Sequence, residues 1–196
     1  MYTDATPLFA TPPFRAYELH PGDAPALQAF FEANPEYFFS VEGQPPAGNA
    51  AHEEIHGELP AGWPFTKKWL IAFTTETGAM VAMANVVSDL LAPKVWHIGL
   101  FIVAAALQGS GAAQSLYRAL EQWMERQGAR WLRLGVVEGN GRGERFWIRA
   151  GYIELRKRGG IEMGQRVNTV RVMAKPLGVA TLSEYLALVE RDRPDV

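Results

Sequence analysis

The chain has 196 residues, enough for one domain with a sizeable core. Its 19 Lys and Arg against 21 Asp and Glu leave a formal net charge of −2, which argues against nucleic acid or an anionic membrane as the main partner. It has no cysteine, so disulfides, a thiol nucleophile and Cys-based metal sites are excluded.

The opening stretch, MYTDATPLFATPP, carries Asp4 and no long apolar core, so no secretory signal is expected in it. Phe14 to His20 predicts a strand. Pro-Gly-Asp then makes a turn, with Asp23 as the cap of a helix that presents Leu27, Phe30 and Phe31 on one face. The stretch from Asn34 to Asn49 is turn-rich, with an aromatic cluster at Tyr37, Phe38 and Phe39. Ala51 to Leu59 predicts a short helix. Trp69 to Thr75 and Met80 to Leu90 read as two strands joined by a hairpin turn. The most apolar run, Val95 to Leu107, is too short to span a bilayer and contains His97. A buried strand over Val95 to Val103 and a cytoplasmic location are expected.

Beyond a Gly-rich turn, Ala113, Leu116, Tyr117, Leu120, Trp123 and Met124 fall on one helical stripe. Arg130 to Val137 predicts a strand and Glu144 to Gly151 a short helix. Tyr152 to Arg158 and Val167 to Leu177 predict two last strands around a polar loop. A C-terminal helix follows, with Thr181 as its cap. With no repeat or long linker, the chain reads as a single domain over 1–196. Its core spans about 14–177, with a helical extension over about 181–192. The fold class is α/β (α+β), a mixed sheet with helices on its faces.

The segment from Leu100 to Leu120 passes from apolar strand through QGSG into the amphipathic helix. Main-chain N–H groups at a helix N-terminus bind phosphate. A P-loop is excluded because no Lys follows the glycines. A dinucleotide fingerprint fits poorly: its third Gly position is Gln114, and the first acid near the next strand end, Glu138, comes too late.

The stretch does resemble motif A of the GNAT superfamily of acyl-CoA-dependent N-acetyltransferases. It carries Val103, Ala105 in place of the usual Pro, Gln108, Gly111 and Ala113. LRLGVVEGNGRGERFWIRAGY resembles motif B at the family's spacing, and the element order matches. The resemblance implies a mostly antiparallel sheet splayed after its fourth strand. It implies an acyltransferase that moves acetyl from acetyl-CoA to a primary amine in a ternary complex, without a metal. By position, Gln108, Gly109, Ser110, Gly111, Ala112 and Ala113 would hold the pyrophosphate. The main chain of Phe101, Ile102 and Val103 would hold the pantetheine arm, and Asn140 and Trp147 would sit against the coenzyme. Partners would be a small-molecule or peptide amine, with no nucleic acid or membrane, and with a homodimer as an allowed assembly.

Two catalytic positions depart from the family. Trp147 stands where many members have a Tyr acid, and indole cannot serve as an acid. Gly135 stands at a position for an acidic base. Strand alternation would put Val95, His97, Gly99, Phe101 and Val103 on one face. His97, at a position where some relatives carry a Glu, is then the candidate general base, with a satisfied core histidine as the rival reading. The vacancies keep open a non-catalytic acyl-CoA-binding module as the alternative. Arg142, Arg145 and Arg149 read as a solvated face, with a coenzyme phosphate as a further option for Arg142. His52, Glu53, Glu54, His56 and Glu58 also read as a solvated face.

Overall fold

The computed structural model describes residues 6–194; Asp4 lies outside them. Eight strands form one sheet in the order β1-β2-β3-β4-β5-β6-β8-β7. They are β1 (Phe9–Thr11), β2 (Phe14–Glu18), β3 (Lys67–Thr74), β4 (Met80–Ser88), β5 (Val95–Val103), β6 (Trp131–Val137), β7 (Ile153–Met163) and β8 (Arg166–Pro176). Every neighbouring pair is antiparallel except β5 and β6. The short β1 was not expected from the sequence. It makes Val95–Val103 the fifth strand rather than the fourth, so the splay follows β5.

Six helices cover the sheet: α1 (Ala24–Ala33), α2 (Glu36–Val41), α3 (Ala50–His56), α4 (Ala112–Arg126), α5 (Gly141–Arg149) and α6 (Leu182–Leu188). On one face α4 buries Leu116, Tyr117, Leu120, Trp123 and Met124 against Trp96, Ile98 and Leu132, as its periodicity predicts, while Ala113 of the same stripe is only half-buried. On the other face α1 buries Leu27, Phe30 and Phe31 against Leu70, Leu100 and Ile102. The C-terminal helix packs Tyr185 against Val95, Trp131 and Ala174 on that second face. Thr181 caps α6 as expected, accepting from Glu184 N at 3.2 Å.

Three local expectations are corrected. Asp23 makes no side-chain cap on α1; its carboxylate accepts instead from His20 N at 2.9 Å. The aromatic cluster is not all turn, because Glu36–Val41 closes into a six-residue helix behind Pro35. The polar loop near the C-terminus is mostly strand. β7 runs on to Met163, with a register irregularity between Arg158 and Ile161, and only Gly164 and Gln165 remain to turn the chain. That hairpin docks on α2: Asn168 Nδ2 donates to Val41 O at 2.9 Å and Gln165 N to Glu42 O at 2.8 Å.

Candidate functional site

β5 and β6 pair only over Val95–Ile98 and Trp131–Leu134. Beyond that they diverge, since each keeps its antiparallel partner on its outer side, β4 for β5 and β8 for β6. The inner edges of Leu100–Val103 and Gly135–Val137 are left facing a wedge-shaped cavity of about 870 Å³. Its lining comes from both faces of the sheet: α4 and α5 on one, α2 and β7 on the other.

At one end stands the Gly-rich turn. Gly109 (φ 80°) and Gly111 (φ 84°) are both left-handed, a conformation that suits glycine and turns the chain into α4. Ser110 lies between them, and its hydroxyl donates to Leu107 O at 2.6 Å. The N–H groups of Gln108, Ser110 and Ala112 are spent within the turn, on Ala105 O, Leu107 O and Ser110 Oγ. Those of Gly109, Gly111 and Ala113 have no acceptor among the described residues, and all three residues line the cavity. Of the six consecutive amides expected to hold a phosphate, alternate ones are left without an acceptor among the described residues, and Ser110 and Ala112 are outside the lining.

Phe101, Ile102, Val103, Gln108, Asn140 and Trp147 line the same cavity. Asn140 caps α5, its Oδ1 accepting from Gly143 N at 3.0 Å, so its side chain has a local structural role. Trp147 is 8 % exposed and packs edge-on to Tyr117 and Tyr152, with centroids 5.3 Å away in each case. The three arginines of α5 are not merely a solvated face. Arg142, Arg145 and Arg149 all border the cavity, and Arg142 Nη1 reaches across to Gln108 Oε1. This end therefore combines free amides with three guanidinium groups.

His97 is displaced from its expected face. Asn85 opposes Leu100 while Val86 opposes Ile98, so Gly99 is an extra residue in β5. Such a bulge flips the alternation. Trp96, Ile98, Phe101 and Val103 pack with α4 and α5, whereas His97 shares the opposite face with Leu100 and Ile102. There it borders the cavity beside Arg133, whose Nη1 lies 3.4 Å from His97 Nδ1. Burial, and then the charge of Arg133, push the imidazole pKa down to about 3. The ring is neutral at physiological pH, and the pKa of 6 to 7 expected of a free imidazole base is not the one it has.

Arg133 is held from below. It is 4 % exposed and forks onto the fully buried Asp192, with Nε to Oδ2 at 2.7 Å and Nη2 to Oδ1 at 3.1 Å. Tyr185 of α6 donates to the same carboxylate at 2.6 Å. Burial opposes the charge of Asp192, but the hydrogen bonds and charge of Arg133 outweigh it and hold the carboxyl below its usual range. Gly135, at the vacant acid position, faces the cavity between the strands. A Cβ there would stand 2.8 Å from Val170 Cγ1, so a larger residue would have to displace the Val170 side chain.

Glu54, read from the sequence as part of a solvated face, and Tyr37, read as part of an aromatic cluster, both take defined places. Glu54 is half-buried: it accepts from Asn85 Nδ2 at 2.5 Å, next to Gly99, and burial raises its pKa. Tyr37 lines the cavity from α2, and burial followed by the charges of Glu54 and Glu42 keeps its phenol protonated. His52, Glu53, His56 and Glu58 are exposed, as expected. Among the described residues no group of His, Asp or Glu is placed to hold a metal ion, and no helix is long and apolar enough to cross a membrane.

The model of the acetyltransferase (GNAT) family matches residues 27–152. No curated protein matches the chain. An acetyltransferase structure from Thermus thermophilus superposes with a TM-score of 0.67 at 16% identity, covering 86% of this chain and 100% of that one. The ribosomal-protein-S18-alanine N-acetyltransferase of Escherichia coli gives 0.61 at 16%, covering 86% and 96%. The spermidine N-acetyltransferase of Vibrio cholerae, in complex with CoA and spermine, gives 0.63 at 15%, covering 84% and 95%. At such identities the likeness is one of fold, and the fold does not choose an acceptor.

Proposed function

Because the chain belongs to the acetyltransferase (GNAT) family, we propose that it transfers acetyl from acetyl-CoA to a primary amine by direct attack within a ternary complex. The observation that carries this reading is the wedge between β5 and β6, which opens on both faces of the sheet. The donor enters from the α4–α5 side. Its pyrophosphate meets the free N–H groups of Gly109, Gly111 and Ala113 and the positive end of α4. Arg142, Arg145 and Arg149 supply the remaining countercharge for a polyanionic coenzyme. The acceptor enters from the side of α2 and β7.

The chemistry balances without a metal. The amine lone pair adds to the thioester carbon, and a main-chain N–H of the unpaired β5 edge receives the oxyanion. The C–S bond then breaks, nitrogen loses a proton and the coenzyme thiolate gains one. Holding both reactants at one strand edge supplies much of the rate. With neither Tyr at 147 nor an acid at 135, both protons pass through water or the substrate itself. Amine-dependent thiol release from acetyl-CoA over a panel of amines tests the reading. Tight coenzyme binding with no amine-dependent release would favour the binding-module alternative, which the same two vacancies support.

A further inference from the structure

The acceptor half of the cavity is electrically polarised. Arg158 of β7 lines it and is half-buried, and its side chain makes neither a hydrogen bond nor an ion pair with any described residue. Trp63, Ile161 and Met163 give this part of the cavity apolar walls. An unpaired guanidinium in such surroundings calls for an anion. Other cations crowd it. Arg156, on the same strand face, donates to Arg191 O at 2.8 Å, and Arg191 lies over Trp63 at 4.2 Å from the ring centroid. Burial, and then the charges of Arg158 and Arg133, loosen the proton of Arg191. The carboxylate of Asp192, which acts on Arg191, is consumed by Arg133 and Tyr185. Among the acids, Glu36 on α2 lines the cavity, and Glu54 is bonded to Asn85, whose side chain lies beside Gly99.

We propose that the acceptor is a zwitterionic amine, one that also carries a carboxylate or phosphate, with Arg158 binding that oxyanion while the amine is turned to the strand edge at Gly99. The inference rests on the transferase reading and narrows its substrate class. A guanidinium fork fits a planar carboxylate with two parallel hydrogen bonds. A site built to pair a charge also rejects the analogue that lacks it.

Binding of N-acetylated products to the CoA-saturated protein tests this apart from turnover. The probes are N-acetyl amino acids against their carboxamides, and N-acetyl-O-phosphoethanolamine against N-acetylethanolamine, followed by calorimetry. The charged member of at least one pair should bind tenfold or more tighter, and the pair that shows it identifies carboxylate or phosphate as the anion. Arg158→Gln should erase that preference while leaving coenzyme affinity and the weaker neutral partner within about threefold. Arg158→Lys should restore part of it. Equal binding within every pair, no binding of any probe, or a preference that survives Arg158→Gln would overturn the proposal. Product discrimination without amine-dependent thiol release would instead uphold the anion site and sink the transferase.

Discussion

His97 makes a stability signature that can be measured without knowing the acceptor. Its folded pKa of about 3 lies below the roughly 6.5 of an unfolded imidazole. The unfolded chain therefore binds a proton in a range where the native protein does not. For a depressed histidine the consequence is that stability is lost as pH falls below the unfolded value, and the loss continues until the folded pKa is reached. Between pH 7 and pH 5 the differential protonation costs about 2 kcal/mol, given ~1.4 kcal/mol per pH unit once the unfolded imidazole titrates. In a chain of this size that corresponds to a fall of about 4–8 °C in Tm. His97→Gln keeps a neutral polar group beside Arg133 and should lack this component. Urea denaturation of both proteins at pH 7 and pH 5 gives the comparison, and subtraction cancels every other titrating group. Equal pH slopes in the two proteins would show that the imidazole protonates freely in the fold, and would restore it as a candidate base of ordinary pKa.

Gly111→Asp should weaken acetyl-CoA binding by at least tenfold, about 1.4 kcal/mol, because it sets a negative charge and a left-handed non-glycine residue against the pyrophosphate; unchanged affinity by calorimetry in a folded variant would remove the turn from the coenzyme site. Trp147→Phe should retain most of kcat, since no acid is lost, whereas a several-hundredfold drop with normal coenzyme binding would give the indole a chemical role. Asp192→Ala strands the charge of Arg133, and loss of one partner of a buried pair costs about 3–5 kcal/mol. Arg133→Met with Asp192→Leu should recover much of it in a denaturant titration, and failure to recover would mean that the pair does more than balance its own charges.

Where a segment announces itself by period, the structure follows it. The bounds of α1 and β5 match the runs that predict them, and α4 buries most of the stripe read from its spacing. What escaped depends on tertiary pairing. β1 is three residues long and exists only because Phe14–Glu18 offers it an edge. α2 has six residues and opens behind Pro35, too little for a helical period. β7 continues through Gly159 and Gly160 because β8 supplies a ladder on which a bulge is tolerated. The bulge at Gly99 matters most for the site. Alternation over VWHIGLFIV looks regular, and only the partner strand reveals that Gly99 is an extra residue. A one-residue offset then moved His97 across the sheet while Phe101, Ile102 and Val103 stayed on the cavity edge. The α5 arginines are exposed, as a solvated face would be, and they border the cavity as well because two strands diverge beneath the helix.

The same electrostatics bear on how a transferase could work with no acid at 147 or 135. Both family positions move protons by titrating; this chain has indole in one and no side chain in the other. The cavity is instead bordered by Arg158 on the proposed acceptor side and by Arg142, Arg145 and Arg149 on the proposed coenzyme side, while Arg133 is paired with Asp192. A positive field of that kind lowers the pKa of a bound ammonium, since like charge disfavours the protonated form, and so favours the neutral nucleophile. It also stabilises the departing thiolate, which then has less need of a proton at the moment the C–S bond breaks. Neutral His97 fits such a site better than a protonated one would, because it adds no further repulsion beside Arg133. Under the proposed reading, fixed charge does the work that titrating groups do in other members, and the pH profile of kcat/KM should report the amine rather than a side chain of the protein.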